Sequence, residues 1–408
     1  MTKEHAPPAE RLSAGLIVLM AFACGAMVAN LYYAQTLINE IGPDIGLSTG
    51  VAGAIVTLTQ LGYGIGLFLI VPLGDLFENR RLALLMIGTT CISCIAIALS
   101  RGPASFLGAS IVTGICATGA HILLPLASHL SPPDRQGRII GQIMSGLLAG
   151  IMLARPVASF LSELMGWRSV FYFSSVVMAL IGLALFFTLP RRVPQMRRSY
   201  GATIASMVAL TREHRQLRLR AFYHAALFTT FNLFWTAAPL VLIRKFHLNQ
   251  NHIALFALAG AGGALVAPLA GSMADRGKTR LATLIAHATL VLCFLAAGGV
   301  VAAGSVIAFA VTAFLIDAAV QLNHVTGQKI IFGLSGDARG RINSIYMTSI
   351  FVIGASGSLI GSASFAAGGW LLTAAIGAGI GGLSLAVFLL CDRSGERGVR
   401  SESALARS

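Results

Sequence analysis

The sequence has 408 residues, of which 56% are hydrophobic and 11% are charged, and its formal net charge at pH 7 is +14. Soluble globular domains average about 45–50% apolar and about 25% charged residues. The composition therefore excludes an ordinary soluble enzyme or binding domain and predicts an all-α integral membrane protein.

Apolar runs long enough to cross a bilayer follow one another along the chain. A helix that spans the hydrocarbon core needs about 20 mostly apolar residues. The first 12 residues carry two acids and two prolines, so we expect a cytoplasmic lead-in and no cleavable signal peptide. We predict twelve membrane helices, near residues 13–38, 48–71, 81–100, 104–127, 137–162, 167–189, 219–243, 251–274, 280–300, 302–326, 341–364 and 367–391.

Basic residues are concentrated at alternate breaks between these helices. Of the 29 Lys and Arg residues, 24 lie at the two termini or within two residues of five breaks. An excess of Lys and Arg marks cytoplasmic loops, so we predict cytoplasmic termini and a bacterial-type inner membrane. The basic net charge is then explained by the membrane topology, and we expect no nucleic-acid partner. The five breaks are residues 72–80, 128–136, 190–218, 275–279 and 327–340.

The longest break, residues 190–218, separates the first six predicted helices from the last six. It is rich in Arg and contains two prolines. Two interpretations stay open. Either the run from Ile204 to Leu217 forms an amphipathic helix on the inner membrane surface, or the whole segment is a plain basic linker.

Two short motifs recur in the second half of the chain. Asp75 follows the second predicted helix, and Asp275 follows the eighth, 200 residues later. The pattern D-x-x-G-R begins at Asp134 and again at Asp337, 203 residues later. These offsets indicate two copies of a six-helix unit in one orientation, as in one class of secondary transporters. The predicted parts are a lead-in (1–12), a first bundle (13–189), a linker (190–218), a second bundle (219–391) and a cytoplasmic tail (392–408).

With the loop Pro72–Arg81, PLGDLFENRR, and its second copy, the chain resembles the major facilitator superfamily (MFS) over about residues 13–391. The resemblance implies two six-helix bundles related by a pseudo-twofold axis. It also implies a latch in which Asp75 engages the start of the eleventh helix near Gly340–Arg341; an acid there is favourable by about 0.3–1 kcal/mol. The alternative is a solvated loop whose charges only enforce topology. The latch residues are Asp75, Arg80 and Arg81, repeated as Asp275, Arg276 and Arg280, whereas Val71, Leu76 and Glu78 depart from the family signature G-x-x-x-D-R-x-G-x-R-R.

The run Asn30–Gln35, NLYYAQ, is similar to bacterial MFS members grouped with drug and sugar efflux proteins. Two other signatures of the proton-coupled antiporters are altered. Ser110 stands where their fourth helix carries an arginine, and Arg155 replaces a glycine of their fifth-helix motif. These departures weaken the argument for antiport and do not affect the fold assignment.

Asp317 is the one carboxylate well inside a predicted helix, about nine residues or ~13 Å from its inner end. Ionisable side chains in hydrocarbon are costly and mark functional sites by default. Gln321 and His324 share its helical face at i+4 and i+7. Asp317 is either a proton or cation site or an interhelical hydrogen-bonding group. His121 is a second proton-coupling candidate, because histidine exchanges protons near neutral pH; a structural hydrogen bond is its alternative role.

Arg155 is the second intramembrane charge, about eight residues or ~12 Å from the outer end of its helix. By depth it lies above Asp317, so we expect no direct ion pair between the two. It either acts in gating or in binding an anionic group, or it packs and snorkels toward the membrane surface.

The MFS resemblance implies that the first, fourth, seventh and tenth helices line a central cavity. Such a lining would be aromatic and weakly charged here, and it favours an uncharged or moderately apolar organic solute. Packing within a bundle is the alternative role of each side chain. The residues are Asn30, Tyr33, Gln35, His121, Asn232, Trp235, Asp317 and Gln321.

Motifs for nucleotide binding or hydrolysis (Walker A, GxGxxG after a strand, HExxH, GxSxG) are not found in the sequence. We therefore predict no enzymatic activity, no cofactor and no metal. The function expected on resemblance is proton-coupled efflux of a small organic solute by a monomer in the lipid bilayer. Uptake or uniport by the same fold, and a transport-dead sensor or scaffold, are the alternatives.

Overall fold

The computed structural model describes residues 13–132, 135–193, 199–335 and 338–392. Asp134 and Asp337, which begin the D-x-x-G-R repeats, lie outside the described residues. In the first half the helices are α1 (Ala14–Ala29), α2 (Ile38–Asp44), α3 (Ala54–Leu69), α4 (Asn79–Ala98), α5 (Pro103–Ala117), α6 (Ala120–Leu130), α7 (Gln136–Met165) and α8 (Arg168–Thr188). Then follow α9 (Tyr200–Glu213), α10 (Arg215–Arg244), α11 (Gln250–Ala257), α12 (Gly262–Asp275), α13 (Thr279–Ala302), α14 (Val306–Phe332), α15 (Arg339–Gly354) and α16 (Ser356–Cys391).

Eleven helical segments of the described chain are long and apolar enough to cross a membrane. The last, Arg339–Cys391, has 53 residues and would measure about 80 Å as one straight helix at 1.5 Å per residue. That is more than twice the ~30 Å of a hydrocarbon core. Non-helical backbone at Gly368 and Gly369, where Gly369 has φ 63°, divides α16 into two arms. The described residues therefore make the twelve predicted crossings.

Several crossings are interrupted along their length; in the fourth, α5 ends at Ala117 and α6 begins at Ala120. In the first, α1 ends at Ala29 and a 3-10 turn follows at Tyr33–Gln35. In the eighth, a 3-10 turn at Leu258–Ala261 separates α11 from α12. In the eleventh, α15 ends at Gly354 before α16 begins. Backbone groups released inside a membrane must find partners within the protein, so these breaks create polar positions in an apolar interior.

Close approach between helices depends on glycine at the contact between α1 and α7. A Cβ atom built on Gly25 would lie 2.4 Å from the carbonyl oxygen of Gly146, and one on Gly150 would lie 2.2 Å from that of Gly25. No side chain fits there without moving a helix. This packing, typical of membrane bundles, holds α7 and its Arg155 against the first crossing.

The two bundles meet along α3, α15 and α16 at the end of the molecule opposite α9, which we call the far end. There the Gly53 backbone N–H donates to Ser362 Oγ at 3.1 Å, and Thr57 Oγ1 donates to the Ala355 carbonyl at 2.8 Å. The Gln250 backbone N–H donates to the Glu163 carboxylate at 3.2 Å. Hydrogen bonds between the bundles therefore close the far end in this conformation.

The segment between the bundles contains a helix, α9, at what we call the linker end. It starts at Tyr200, earlier than the predicted Ile204, because Ser199 Oγ caps it by accepting from Ala202 N at 3.3 Å. The Tyr200 hydroxyl donates to the Leu69 carbonyl of the first bundle at 2.9 Å. Ser206 Oγ accepts from the Arg341 guanidinium of the second bundle at 2.7 Å. The linker helix thus contacts both bundles.

Candidate functional site at the bundle interface

A tryptophan connects the two intramembrane charges. Arg155 on α7 is 2% exposed, and its guanidinium carbon lies 4.4 Å from the centre of the Trp235 ring on α10. The Trp235 indole Nε1–H donates to Asp317 Oδ1 on α14 at 2.7 Å. Arg155 of the first bundle and Asp317 of the second are therefore connected through the indole of Trp235. A desolvated cation–π contact is worth about 2 kcal/mol.

Two further aromatic rings and one amide surround the guanidinium. Its carbon lies 5.1 Å from the ring centres of both Tyr32 and Phe231. Its Nε–H donates to Gln35 Oε1 at 2.9 Å. Buried Nη2 of Arg155 has no hydrogen-bond partner among the described residues. A guanidinium group offers five N–H donors in a fixed plane, so Arg155 retains unused donor capacity in the interior.

An amide network lies beside this cluster and joins the halves of the chain. The Asn232 carboxamide oxygen accepts from Gln35 at 3.3 Å and from Gln60 at 3.0 Å. Its nitrogen donates to Gln60 Oε1 at 2.7 Å and to the Gly354 carbonyl at 3.0 Å. The Gly354 carbonyl is available because α15 ends there. The breaks in the first and eleventh crossings therefore supply the partners that Asn232 needs.

The break in the eighth crossing lies against Asp317. A Cβ atom on Gly260 would lie 2.9 Å from Asp317 Oδ2 and 3.0 Å from Trp235 Cζ2. Only glycine leaves room for the acid and the indole at this point. The interruptions of the first, eighth and eleventh crossings therefore converge on one region, as in transporters whose sites are built from discontinuous helices.

Three other predicted cavity residues lie in different surroundings. The carboxamide oxygen of Asn30 accepts from Ser174 at 2.6 Å and from the Cys94 thiol at 3.3 Å, all within the first bundle. Tyr33 lines an apolar groove on the outer side of α1, α7 and α8. Gln321 lies on α14 and packs close to Gly263 of α12: a Cβ atom built on Gly263 would lie 3.5 Å from Gln321 Cβ. Of the eight predicted residues, Gln35, Asn232, Trp235 and Asp317 form the central cluster.

His121 lies in a different place from Asp317. One of its ring nitrogens and the Tyr63 hydroxyl are 2.8 Å apart. The histidine lines a cavity at the linker end together with Asp75 and Arg341. It is thus close to the predicted latch.

The same cavity brings the first latch aspartate to the start of the eleventh crossing. Its walls include Asp75 from the end of the second crossing, Gly340 and Arg341 from α15, and Arg192 from the linker. Arg192 is held by Asn79, whose carboxamide oxygen accepts from it at 3.1 Å. The two guanidinium groups favour the ionised carboxylate, while its partial burial opposes ionisation.

The two arginines of this loop are directed elsewhere. Arg80 donates to the Phe186 carbonyl at the end of α8, and its guanidinium carbon lies 5.2 Å from the Phe186 ring centre. Arg81 pairs with Glu78 at 2.8 Å. Arg80 therefore holds the loop against its own bundle, while the Arg81–Glu78 pair is local to the loop.

The second copy of the loop is arranged differently from the first. Asp275 pairs with Lys329 of the same bundle at 2.7 Å, and the two side chains are 70% and 58% exposed. Arg276, just beyond the end of α12, and Arg280, in the first turn of α13, are also exposed. Asp75 therefore shares a cavity with residues of the second bundle, while Asp275 pairs within its own bundle.

Several residues of these sites were not singled out from the sequence. Gln60 lies in the second crossing, which the resemblance did not assign to the cavity, although a glutamine in an apolar run is itself a signal. Phe231 lies one helical turn before Trp235 on α10. Gly260 belongs to the glycine-rich stretch that interrupts the eighth crossing. Attention to polar and glycine residues in all twelve helices would have found two of the three.

A buried ion pair, also unexpected, fixes the end of the second bundle. Arg220 pairs with Asp392 at 2.6 Å, and the two side chains are 4% and 6% exposed. Arg220 also donates to Thr283 Oγ1 at 2.8 Å. Asp392, which the sequence assigned to the tail, is thus part of the folded bundle.

Comparison with known proteins agrees with this architecture. A family model described as Major Facilitator Superfamily matches residues 14–298 and 220–407. This chain belongs to the Major Facilitator Superfamily. It is 41% identical over 382 residues to a protein of Escherichia coli O157:H7 named "Uncharacterized transporter YgaY", covering 93% of this chain and 96% of that one.

Two other similar proteins carry more specific names. The purine ribonucleoside efflux pump NepI of Shigella dysenteriae serotype 1 is 25% identical over 178 residues, which is 43% of this chain and 44% of NepI. A crystal structure of nucleoside transporter NupG superposes with a TM-score of 0.73 at 13% identity, covering 92% of this chain and 99% of that chain. This MFS member is therefore a membrane transporter of a small molecule and not an enzyme.

Proposed function

We propose that this transporter exports a small organic solute in exchange for protons, by rocking its two bundles about the central cluster. The observation that carries the proposal is the Trp235–Asp317 hydrogen bond, 2.7 Å long, beneath the guanidinium of Arg155. It places an intramembrane acid of one bundle next to the cation of the other. The interface that must open and close is therefore the place where a proton changes the charge balance.

The proton acts on Asp317. When this carboxyl is ionised, its charge offsets that of Arg155, and Oδ1 holds the indole N–H. When it is protonated, the hydrogen bond from Trp235 loses its charge assistance and Arg155 loses its counter-charge. The attraction between the bundles then weakens, and the alternative packing becomes accessible. Each proton thus shifts the equilibrium between two conformations by its differential affinity for them.

The conformation described here corresponds to a state closed at the far end. If the basic linker end is cytoplasmic, as the distribution of Lys and Arg predicts, the far end faces outward and this state is closed to the outside. Asp75 facing Arg341 and Arg192 at the linker end would then act as the latch of the cytoplasmic side. Opening the far end would break its hydrogen bonds between the bundles, and opening the linker end would separate Asp75 from Arg341.

Export is the proposed direction because the sequence relative NepI is named an efflux pump. Uptake or uniport remains the second candidate, since the same charges would serve either direction. A transport-dead sensor is the candidate from another class. These three possibilities differ in what a pH gradient does to solute flux.

The test is solute flux in vesicles reconstituted with the full chain. Radiolabelled purine ribonucleosides and small uncharged drugs are presented with and without an imposed pH gradient. The proposal expects gradient-driven exchange in the wild type, its loss in Asp317→Asn, and its retention in Asp275→Asn, where the removed acid is exposed. Gradient-driven flux that survives Asp317→Asn contradicts the coupling role, and a wild type that moves none of the panel favours the sensor.

A further inference from the structure

The central cluster also contains the elements of a solute-recognition site. We infer that Arg155 and Asp317 together recognise a net-neutral planar solute, with a hydrogen-bond acceptor at Arg155 Nη2, a donor at the Asp317 carboxylate and an apolar ring against the aromatic side chains between them. The inference rests on the proposed role of Asp317 as the proton site and names the substrate class of that site.

The first support is the unused donor of Arg155. Nη2 is buried and has no hydrogen-bond partner among the described residues, although an unsatisfied buried polar atom is destabilising. Gln35 occupies Nε and thereby fixes the guanidinium plane. A donor that is held in place and left without an acceptor is suited to an acceptor supplied by a ligand.

The second support is the charge balance of the cluster. Arg155 and Asp317 carry one positive and one negative charge, connected through Trp235. An added anion or cation would leave a net charge in a buried site, which is unfavourable without a further partner. A neutral solute whose dipole runs from Arg155 to Asp317 interacts with both charges and adds none.

The third support is the surface between the two charges. The rings of Tyr32, Phe231 and Trp235 surround the guanidinium at 4.4 to 5.1 Å from its carbon. Aromatic faces and edges pack favourably against planar rings. The aromatic character of these side chains therefore favours a flat solute with polar groups at its ends.

The chemistry of Asp317 makes solute and proton compete. An ionised carboxylate only accepts hydrogen bonds, whereas a protonated one also donates. A solute N–H or O–H loses part of its acceptor when Asp317 takes up a proton. Binding should therefore weaken as pH falls, which is the relationship that exchange of solute for protons requires.

The experiment measures equilibrium binding by saturation-transfer NMR to the purified full chain in nanodiscs. Three probes share one ring and differ in charge: 4-hydroxybenzamide is neutral, 4-hydroxybenzoate is an anion and 4-hydroxybenzylamine is a cation near neutral pH. We expect the amide to bind about tenfold or more tightly than either ion, and to bind more weakly in acid. Arg155→Gln and Asp317→Asn should each weaken amide binding about tenfold, and Asp317→Asn should remove its pH dependence.

Arg155→Lys, which keeps the charge and alters donor geometry, serves where Arg155→Gln does not fold; it should lower amide affinity while thermal stability is kept. Tightest binding of the benzoate, strengthening in acid, would overturn the inference in favour of an anion site. Equal binding of all three probes to wild type and the Arg155 variants, or no binding to either, would also overturn it. Because binding is measured without a gradient, these outcomes are independent of whether Asp317→Asn abolishes gradient-driven flux.

Discussion

Trp235 donates its indole N–H to Asp317 at 2.7 Å while its ring lies 4.4 Å below the guanidinium carbon of Arg155. The three side chains come from α10, α14 and α7, so one residue joins three helices and both bundles. A change in the charge of Asp317 therefore alters the interactions of Trp235 and Arg155 at the bundle interface, although Asp317 and Arg155 form no direct ion pair.

Replacing Trp235 with Phe keeps an aromatic face for Arg155 and removes the N–H. We expect gradient-driven flux to fall by about tenfold or more, since a hydrogen bond to a charged group contributes about 1.5–3 kcal/mol. Downhill exchange of the same solute should change less. Flux measured with and without a pH gradient separates the two effects.

Trp235→Leu is the companion variant, because it removes both the N–H and the ring. It should impair downhill exchange as well as gradient-driven flux. If Trp235→Phe retains full coupling, the hydrogen bond to Asp317 has no part in the mechanism.

Gly260→Ala tests the close approach of the eighth crossing to the acid. The new Cβ would lie 2.9 Å from Asp317 Oδ2, so Asp317 or the turn must move. We expect lower gradient-driven flux at unchanged charge, measured per folded protein. Gly271→Ala on the same crossing is the control, because a Cβ there meets nothing within 4 Å. Equal activity of the two variants would argue against the tight contact.

Asp75→Asn tests the latch at the linker end. The aspartate shares a cavity with Arg341 and Arg192, far along its helix from the central cluster. We expect the maximal transport rate to change more than the apparent affinity for solute. Asp275→Asn, which removes an exposed acid paired within one bundle, should have a smaller effect on both. A change mainly in apparent affinity would contradict the latch.

Asp392→Asn should destabilise the second bundle. It leaves Arg220, 4% exposed, without its counter-charge, and breaking such a buried pair costs about 3–5 kcal/mol. Thermal unfolding in detergent should therefore begin at a clearly lower temperature. The double variant Arg220→Leu/Asp392→Leu should recover much of the loss. A single variant as stable as wild type would show that water or another group already compensates Arg220.

The lengths of the apolar runs and the repeated loop motifs were enough to predict the twelve crossings and the two bundles. They were not enough to predict the rotation of each helix about its axis. Asn30 and Gln35 come from the same run, yet Asn30 bonds inside the first bundle and Gln35 reaches Asn232. The chain leaves regular helix between them, at Asn30–Tyr32, and continues as a 3-10 turn at Tyr33–Gln35.

The positions of Arg155 and Asp317 along their helices likewise predict only part of their spatial arrangement. The estimated depths place Arg155 above Asp317, but they carry no information on what lies between two helices. The bridging role of Trp235 depends on how α7, α10 and α14 cross, which is decided by packing such as the Gly25–Gly146–Gly150 contact. The asymmetry between Asp75 and Asp275 likewise depends on the tertiary positions of Arg341 and Lys329.

The most direct test of the central claim is the infrared difference spectrum of the purified protein between acid and alkaline buffers that bracket neutral pH. We expect a protonated-carboxyl band that appears on acidification in the wild type, is missing in Asp317→Asn, and shifts in Trp235→Phe because the hydrogen bond to Oδ1 is lost. A spectrum that is the same in wild type and Asp317→Asn would contradict the assignment of Asp317 as the proton site.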